Sequence, residues 1–250
     1  MQHKPTLEDA LALMRDLRAR CDWDRAQTHE SLRPYLMEET HELDDALRTG
    51  NVAHLREELG DLLLQVLFHS VIAEEDGQFD AHDVAGSLIE KMRQRHPHLY
   101  GGGDRQDWET MKARRRSSIG DGLPSGLPSL HRAHRLQDRA AGVGFDWSDT
   151  EGPALKIEEE LGEVRAELAR DDRRDRRAAL EDELGDLLFA VVNLCRRAGV
   201  HAALALDRAN EKFQRRFERL ERLARERGVA MDAATLADLD KLWDELKAEE

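Results

Sequence analysis

The chain has 250 residues, enough for two domains of ordinary size, and 36% of them are charged while only 5% are aromatic. Its net charge of -14 disfavours nucleic acid as a partner, since like charges repel. The two cysteines are too few for a disulfide framework, and no apolar stretch is long enough for a membrane span or a signal peptide. We therefore expect a soluble, cytoplasmic protein with neither membrane nor nucleic-acid partners.

The sequence predicts helices in the first half of the chain. Ala, Leu, Glu and Arg are prominent and Pro is scarce, which is typical of amphipathic helices packed together and predicts an all-α fold. An Arg-rich helical stretch ends at Asp22-Trp23-Asp24. The later features are an EExxE cluster, the hexamer ELGDLL and a Glu-Lys pair followed by arginine, at 38–42, 58–63 and 90–95.

A stretch rich in Gly and Pro follows at 101–127. Gly and Pro at this density break helices, so the stretch predicts a linker. We expect an N-terminal unit at 1–100 and a C-terminal unit at 128–250.

The second half repeats the features of the first in the same order. A tryptophan after aspartate, EExxE, ELGDLL and Glu-Lys with a later arginine recur at 146–147, 159–163, 183–188 and 211–216. Four matches in one order predict an internal duplication. Apolar residues spaced by three and four predict helices over 157–168, 180–194 and 202–227. Each half thus supplies three or four helices, enough for a bundle or for half of an intertwined dimer.

Four carboxylates in the second half are predicted to converge. Glu183 and Asp186 lie one turn apart among leucines, while Glu160 and Glu163 are one turn apart on the preceding helix, which a short turn makes antiparallel. Unpaired carboxylates beside an apolar face cost free energy, so a compensating cation is expected. Oxygen ligands without His or Cys favour Mg²⁺, or Mn²⁺, over zinc. The alternative for one isolated EExxE is a solvated charged face.

The first half carries a corresponding set, a second candidate metal site. Its members are Glu39, Glu42, Glu58 and Asp61, with Lys91 and Arg95 downstream.

These motifs resemble the MazG family of nucleoside triphosphate pyrophosphohydrolases, whose signature is EExxE followed after a spacer by ExxD. The resemblance extends to CDWDRAQTHESLRPYLMEE, RHPHLYG, GFDW, DELGDLLFAVVNLCR and ANEKFQRRF. It implies two tandem all-α units, a homodimer, Mg²⁺, and cleavage between the α and β phosphates that releases pyrophosphate and a nucleoside monophosphate.

The resemblance also assigns site residues. It makes Glu160, Glu163, Glu183 and Asp186 the metal ligands of the second half. It places Lys156, Glu159, Glu160, Lys212, Arg216 and Trp243 at positions that contact the nucleotide. Two alternatives stay open: Lys212 and Arg216 could pair with Glu211 or Glu218 along their helix, and Trp243 could dock the C-terminal helix. One departure is Ala179, where members often carry a lysine; Arg176 or Arg177 could replace its phosphate contact.

The expected reaction is in-line attack of a metal-positioned water on the α-phosphorus. Glu159, next to a predicted ligand, is the candidate catalytic residue that orients or deprotonates this water. Tyr35 stands where the second half has Lys156, and no counterpart of Trp243 follows in the first half, so we expect the second site to carry most of the activity. The first site then binds metal or nucleotide weakly, or serves in assembly.

Two other functions fit the same residues less well. One alternative is a nucleotide-sensing regulatory or interaction protein with weak or no turnover. Another is a pyrophosphohydrolase of a phosphoribosylated nucleotide, but those relatives are short single units and the doubled chain fits them poorly.

Overall fold

The computed structural model describes residues 4–102, 116–170 and 176–248. Every regular element in these ranges is an α-helix, which confirms the predicted all-α fold. The chain divides into two compact units, Met1–Arg105 and Gln106–Glu250. Of the predicted linker at 101–127, residues 103–115 lie outside the described ranges.

The N-terminal unit places the EExxE and ELGDLL motifs on two neighbouring helices. Its helices are α1 Leu7–Arg20, α2 Asp22–Ala26, α3 Arg33–Thr49, α4 Val52–Glu75, α5 Ala81–Arg95 and α6 Pro97–Tyr100. Gly50, at φ 66°, ends α3, and the Asn51 side chain accepts hydrogen bonds from the first turn of α4. A connection of two residues turns the chain back on itself, so α3 and α4 pack side by side in opposite directions.

Apolar residues of α1 and α4, together with Leu32 just before α3, form the core of this unit. Its buried members are Leu11, Met14, Leu32, Phe68, Val71 and Ile72. Buried Arg18 closes one edge, because it pairs with Glu75 and donates to the backbone carbonyls of Asp24 and Gln27 at 2.6 and 2.9 Å. The segment that follows α1 is therefore fixed to the core by one guanidinium.

The C-terminal unit repeats the paired arrangement. Its described helices are α7 Ser129–Ala141, α8 Glu151–Leu168, α9 Arg176–Arg197, α10 Ala202–Glu226 and α11 Leu236–Ala248. Helix α8 packs along α9, α10 along α11, and α7 against both α9 and α10. No single helix of the described ranges is long and apolar enough to cross a membrane; α9 and α10 meet the length and composition criteria only together, and they are bent by 102°.

Burial in this unit is uneven. Leu220, Ala224, Leu242 and Leu246 form a buried cluster between α10 and α11. On α8 and α9, Val164 is buried but Leu161 and Leu184 are 36% and 41% exposed. The apolar stripes of α8 and α9 are thus wider than the area that the two helices cover on each other.

Candidate active site

Helices α8 and α9 bring the acidic motifs of the C-terminal unit together. One carboxylate oxygen from each of Glu160, Glu183 and Asp186 lies within 4.8 Å of the others. Glu163 joins them through a hydrogen bond with Glu160, which raises the pKa of Glu163. All four residues predicted as ligands from the sequence therefore lie at one place, three of them in the tighter group.

Glu160 is the buried member of this set, at 4% exposure. Lys156 lies one turn earlier on α8, and its Nζ is 2.6 Å from Glu160 Oε1 and 3.0 Å from Glu159 Oε1. This hydrogen bond lowers the pKa of Glu160, and the two carboxylates raise the pKa of Lys156. The other oxygen of Glu160, Oε2, is buried without a hydrogen-bond partner. A buried acceptor of this kind fits a hard cation as its missing partner.

The N-terminal unit forms a second cluster between α3 and α4. Oxygens of Glu39, Glu58 and Asp61 lie within 4.8 Å of one another. Burial raises the pKa of Glu39, and the charges of Asp61, Glu42 and Glu58 raise it further, which places Glu42 beside the group. Glu58 is 6% exposed; its Oε1 lies 2.9 Å from His54 Nε2, while its Oε2 is buried and unpartnered.

The two clusters bury acids from different motifs: the C-terminal cluster buries an acid of EExxE, and the N-terminal cluster buries an acid of ExxD. Buried Glu160 belongs to EExxE and is held by a lysine one turn earlier on α8; buried Glu58 belongs to ExxD and is held by His54 one turn earlier on α4. The repeat places Tyr35 at the position of Lys156, and Ala179 at the position of His54. Sequence reasoning noted Ala179 but missed His54, which a comparison of the same position in the first half would have found.

The remaining nucleotide-contact candidates lie on α10 and α11. The guanidinium carbon of Arg216 is 5.2 Å from the centroid of the Trp243 ring, and the Phe213 ring is 5.5 Å from it. Trp243 also packs against the buried cluster of α10 and α11, so it does dock the C-terminal helix. Lys212 is exposed; its neighbour Glu211 pairs with Arg215 at 3.7 Å.

Comparison with known proteins places these clusters in a family. Residues 27–100 and 151–220 match the MazG nucleotide pyrophosphohydrolase domain. The chain belongs to the MazG family. Each matched segment contains one complete MazG carboxylate set, whereas Trp243 lies outside both segments. The match confirms the family resemblance found in the sequence. The roles that this resemblance gives to individual residues stay predictions.

Several bacterial proteins match most of the chain. The nucleoside triphosphate pyrophosphohydrolase of Escherichia coli K12 is 42% identical over an alignment of 250 residues, and this alignment covers 95% of this chain and 94% of that protein. The nucleoside triphosphate pyrophosphohydrolase/pyrophosphatase MazG of Thermotoga maritima is 44% identical over 250 residues, covering 96% and 95%. A nucleoside triphosphate pyrophosphohydrolase of Mycobacterium tuberculosis is 39% identical over 218 residues, covering 82% and 65%.

Proposed function

We propose that this protein hydrolyses nucleoside triphosphates to nucleoside monophosphates and pyrophosphate at the carboxylate cluster of its C-terminal unit. Family membership and the names of the relatives support this reaction. The observation that carries the choice of site is the convergence of Glu160, Glu183 and Asp186 within 4.8 Å, with a buried oxygen of Glu160 left unpartnered.

The donor set fits Mg²⁺, with Mn²⁺ as a substitute. All its donors are carboxylate oxygens, the ligands these hard cations prefer, and no His or Cys belongs to the C-terminal group. When bound, the ion supplies positive charge against the triphosphate and the departing pyrophosphate. Glu160, Glu163, Glu183 and Asp186 would hold it.

The remaining predicted site residues would bind the substrate or position the attacking water. Lys156 is half-exposed beside the cluster and would bind phosphate oxygens, as would Lys212 and Arg216. Trp243 would act by holding Arg216 against its ring. Glu159 is exposed and paired with Lys156, and we assign to it the orientation or deprotonation of the attacking water.

Product analysis tests the reaction and the site together. The purified full chain is incubated with Mg²⁺ and ATP, and the products are separated by ion-exchange chromatography. We expect AMP and pyrophosphate from the wild type, loss of both with Glu160→Gln or Asp186→Asn, and retained turnover with Glu158→Gln, an exposed acid on α8 that serves as the control. ADP with phosphate would refute the reaction, undiminished turnover by Glu160→Gln would refute the site, and binding without turnover would favour a nucleotide-sensing role.

We also propose a homodimer that works in the cytoplasm without a nucleic-acid partner. Exposed apolar side chains on α8 and α9 support an interface between copies: Leu155, Leu184 and Leu188 are 55%, 41% and 59% exposed. Light scattering should give about 57 kDa, twice the chain mass of 28.5 kDa. Leu188→Glu should shift the mass towards the monomer, whereas a monomeric wild type would rule the dimer out.

A further inference from the structure

Three histidines meet where α7 packs against the start of α10. His131 and His134 lie one turn apart on α7, and the ring centroid of each is 4.5 Å from that of His201, the residue directly before α10. All three are partly buried. Within the described ranges, only the two carboxylate clusters bring three possible ligand atoms within 4.8 Å of one another, so this histidine cluster is not a formed metal site.

Helix α7 is also held by contacts that do not depend on pH near neutrality. The Gln137 side chain donates to the carbonyl of Phe189 on α9 at 2.8 Å, and buried Arg139 donates to the carbonyls of Ile119 and Asp121 at 2.7 and 2.8 Å. An amide, a guanidinium and backbone carbonyls keep their charge at these pH values. Imidazoles, in contrast, ordinarily change charge between about pH 5 and 8, so the histidine cluster makes the contact with α10 sensitive to acid.

The charged groups around the cluster disfavour a protonated imidazole. Asp138 of α7 is the carboxylate that faces both His134 and His201. Its Oδ2 lies 3.7 Å from Nε2 of His134 but 2.8 Å from Nη1 of Arg135, so the carboxylate is already paired. On α9, Arg196 adds a second positive charge near His134. One paired carboxylate therefore faces two guanidiniums and three imidazoles.

Protonation would also create buried donors that have no acceptor. Nδ1 of His134 and Nδ1 of His201 are both buried without a hydrogen-bond partner. An imidazolium carries a proton on each ring nitrogen, so both atoms would become unpaired N–H groups in the packed state. His201 is also the N-cap residue of α10, where the helix dipole disfavours positive charge. Burial lowers the pKa of both histidines, and nearby positive groups lower it further against the opposing charge of Asp138.

We infer that this histidine cluster is an acid-sensitive contact: neutral imidazoles pack α7 onto the start of α10, and protonation of His134 and His201 separates the two helices. Separation lets water accept hydrogen bonds from the two Nδ1 atoms, so the donors are no longer unpaired. Helix α7 also packs against α9, which carries two of the clustered carboxylates, whereas α10 carries Lys212 and Arg216. Acidification therefore loosens a packing contact that positions the predicted phosphate-binding residues relative to the carboxylates, a consequence that rests on the proposed function.

Hydrogen–deuterium exchange of the full chain, read by mass spectrometry, tests this contact. The protection of α7 and of the first turns of α10 is compared at about pH 7.5 and 5.5, after correction for the intrinsic exchange rate. A histidine that regains a pKa of about 6.5 on separation raises the separated fraction by up to about tenfold at about pH 5.5, so two histidines should lower the protection about tenfold or more. In the double variant His134→Gln with His201→Gln, the protection should change less than about twofold. No substrate is present, so the result does not depend on the proposed function.

Two controls distinguish this contact from a general effect of acid. Helix α11 contains no histidine and packs against α10, so its protection should be the same at both pH values. His82→Gln, at an exposed histidine of α5, should leave the acid response of α7 as in the wild type. Equal protection of α7 at both pH values in the wild type overturns the inference, even if the double variant fails to fold. An equal loss of protection in the double variant, or a loss in α11 as large as in α7, also overturns it.

Discussion

Gly152→Ala should disturb the C-terminal unit through a single contact. Gly152 lies in the first turn of α8, and a Cβ added there would be 2.7 Å from Cδ2 and 2.9 Å from Cζ3 of Trp147, closer than van der Waals contact allows. Trp147 is 47% exposed, so the indole has room to rotate away from the helix. The substitution therefore exchanges a buried ring face for a methyl group.

The size of the effect follows from two opposing contributions. An aromatic side chain buries about 150–250 Å² when fully covered, so the half that Trp147 buries is roughly 100 Å², worth about 2.5 kcal/mol if all of it is lost. Alanine is about 1 kcal/mol better than glycine within a helix. The free energy of unfolding should fall by about 1.5 kcal/mol, which for a unit of this size lowers the Tm by about 3–6 °C.

A double-mutant cycle followed by thermal unfolding tests this reasoning. In a Trp147→Ala background the clash is absent, so Gly152→Ala should raise the free energy of unfolding by up to about 1 kcal/mol instead of lowering it. The effect of the same substitution thus changes sign between the two backgrounds. Equal destabilisation in both would show that Trp147 is not the group that Gly152 accommodates.

Three further substitutions test the core, the histidines and the division of labour between units. Arg18→Met should lower the free energy of unfolding of the N-terminal unit by about 3 kcal/mol, because Glu75 and several backbone carbonyls lose a buried donor. Urea unfolding measures this change. The control Arg15→Met, at a more exposed ion pair, should lower the free energy of unfolding much less. Burial and neighbouring histidines lower the pKa of His201 from its ordinary 6.5. The folded state therefore favours neutral His201, and part of the free energy of unfolding is lost as the pH falls below about 6.5. The Tm should drop less between about pH 7.5 and 5.5 in His201→Gln than in the wild type, and equal drops would contradict this. Glu58→Gln should reduce pyrophosphate release far less than Glu160→Gln, whereas equal losses would place comparable activity in both units.

The pairing of acidic motifs could be predicted from the sequence because it depends on short-range geometry. An i, i+3 spacing puts both acids of a motif on one side of a helix, and a short connection folds one helix back along the other, as between α3 and α4. The repeat then gave the same result twice. Both clusters in the structure follow this rule.

Which acid is buried could not be read from the motif. The two copies share ELGDLL, yet Glu58 is buried in one and Glu160 in the other, because the side chain that pairs with the buried acid from one turn earlier lies on α4 in the first unit and on α8 in the second. The burial of the apolar stripe could not be predicted either. Leu161 and Leu184 keep helical spacing but are exposed, because periodicity defines the apolar face of a helix and not what covers that face.

The C-terminal unit also contains a cavity lined by Phe145, Trp147 and Phe189, which the sequence analysis did not predict. Its walls come from Ile119, α7, the segment before α8, and α9, and the hydrogen bond between Gln137 and Phe189 joins positions 52 residues apart. No local spacing encodes such a contact. The tryptophan that marks the start of each half was visible in the sequence only as a repeat.

Arg196 and Arg197 connect the helix of the second acidic motif to the segment before α8. They lie at the end of the same continuous helix that carries Asp186, and through Asp146 they hold the segment with Phe145. The position of this segment is therefore tied to the helix that supplies two of the four clustered carboxylates, and a substitution that breaks these ion pairs would free the segment from that helix.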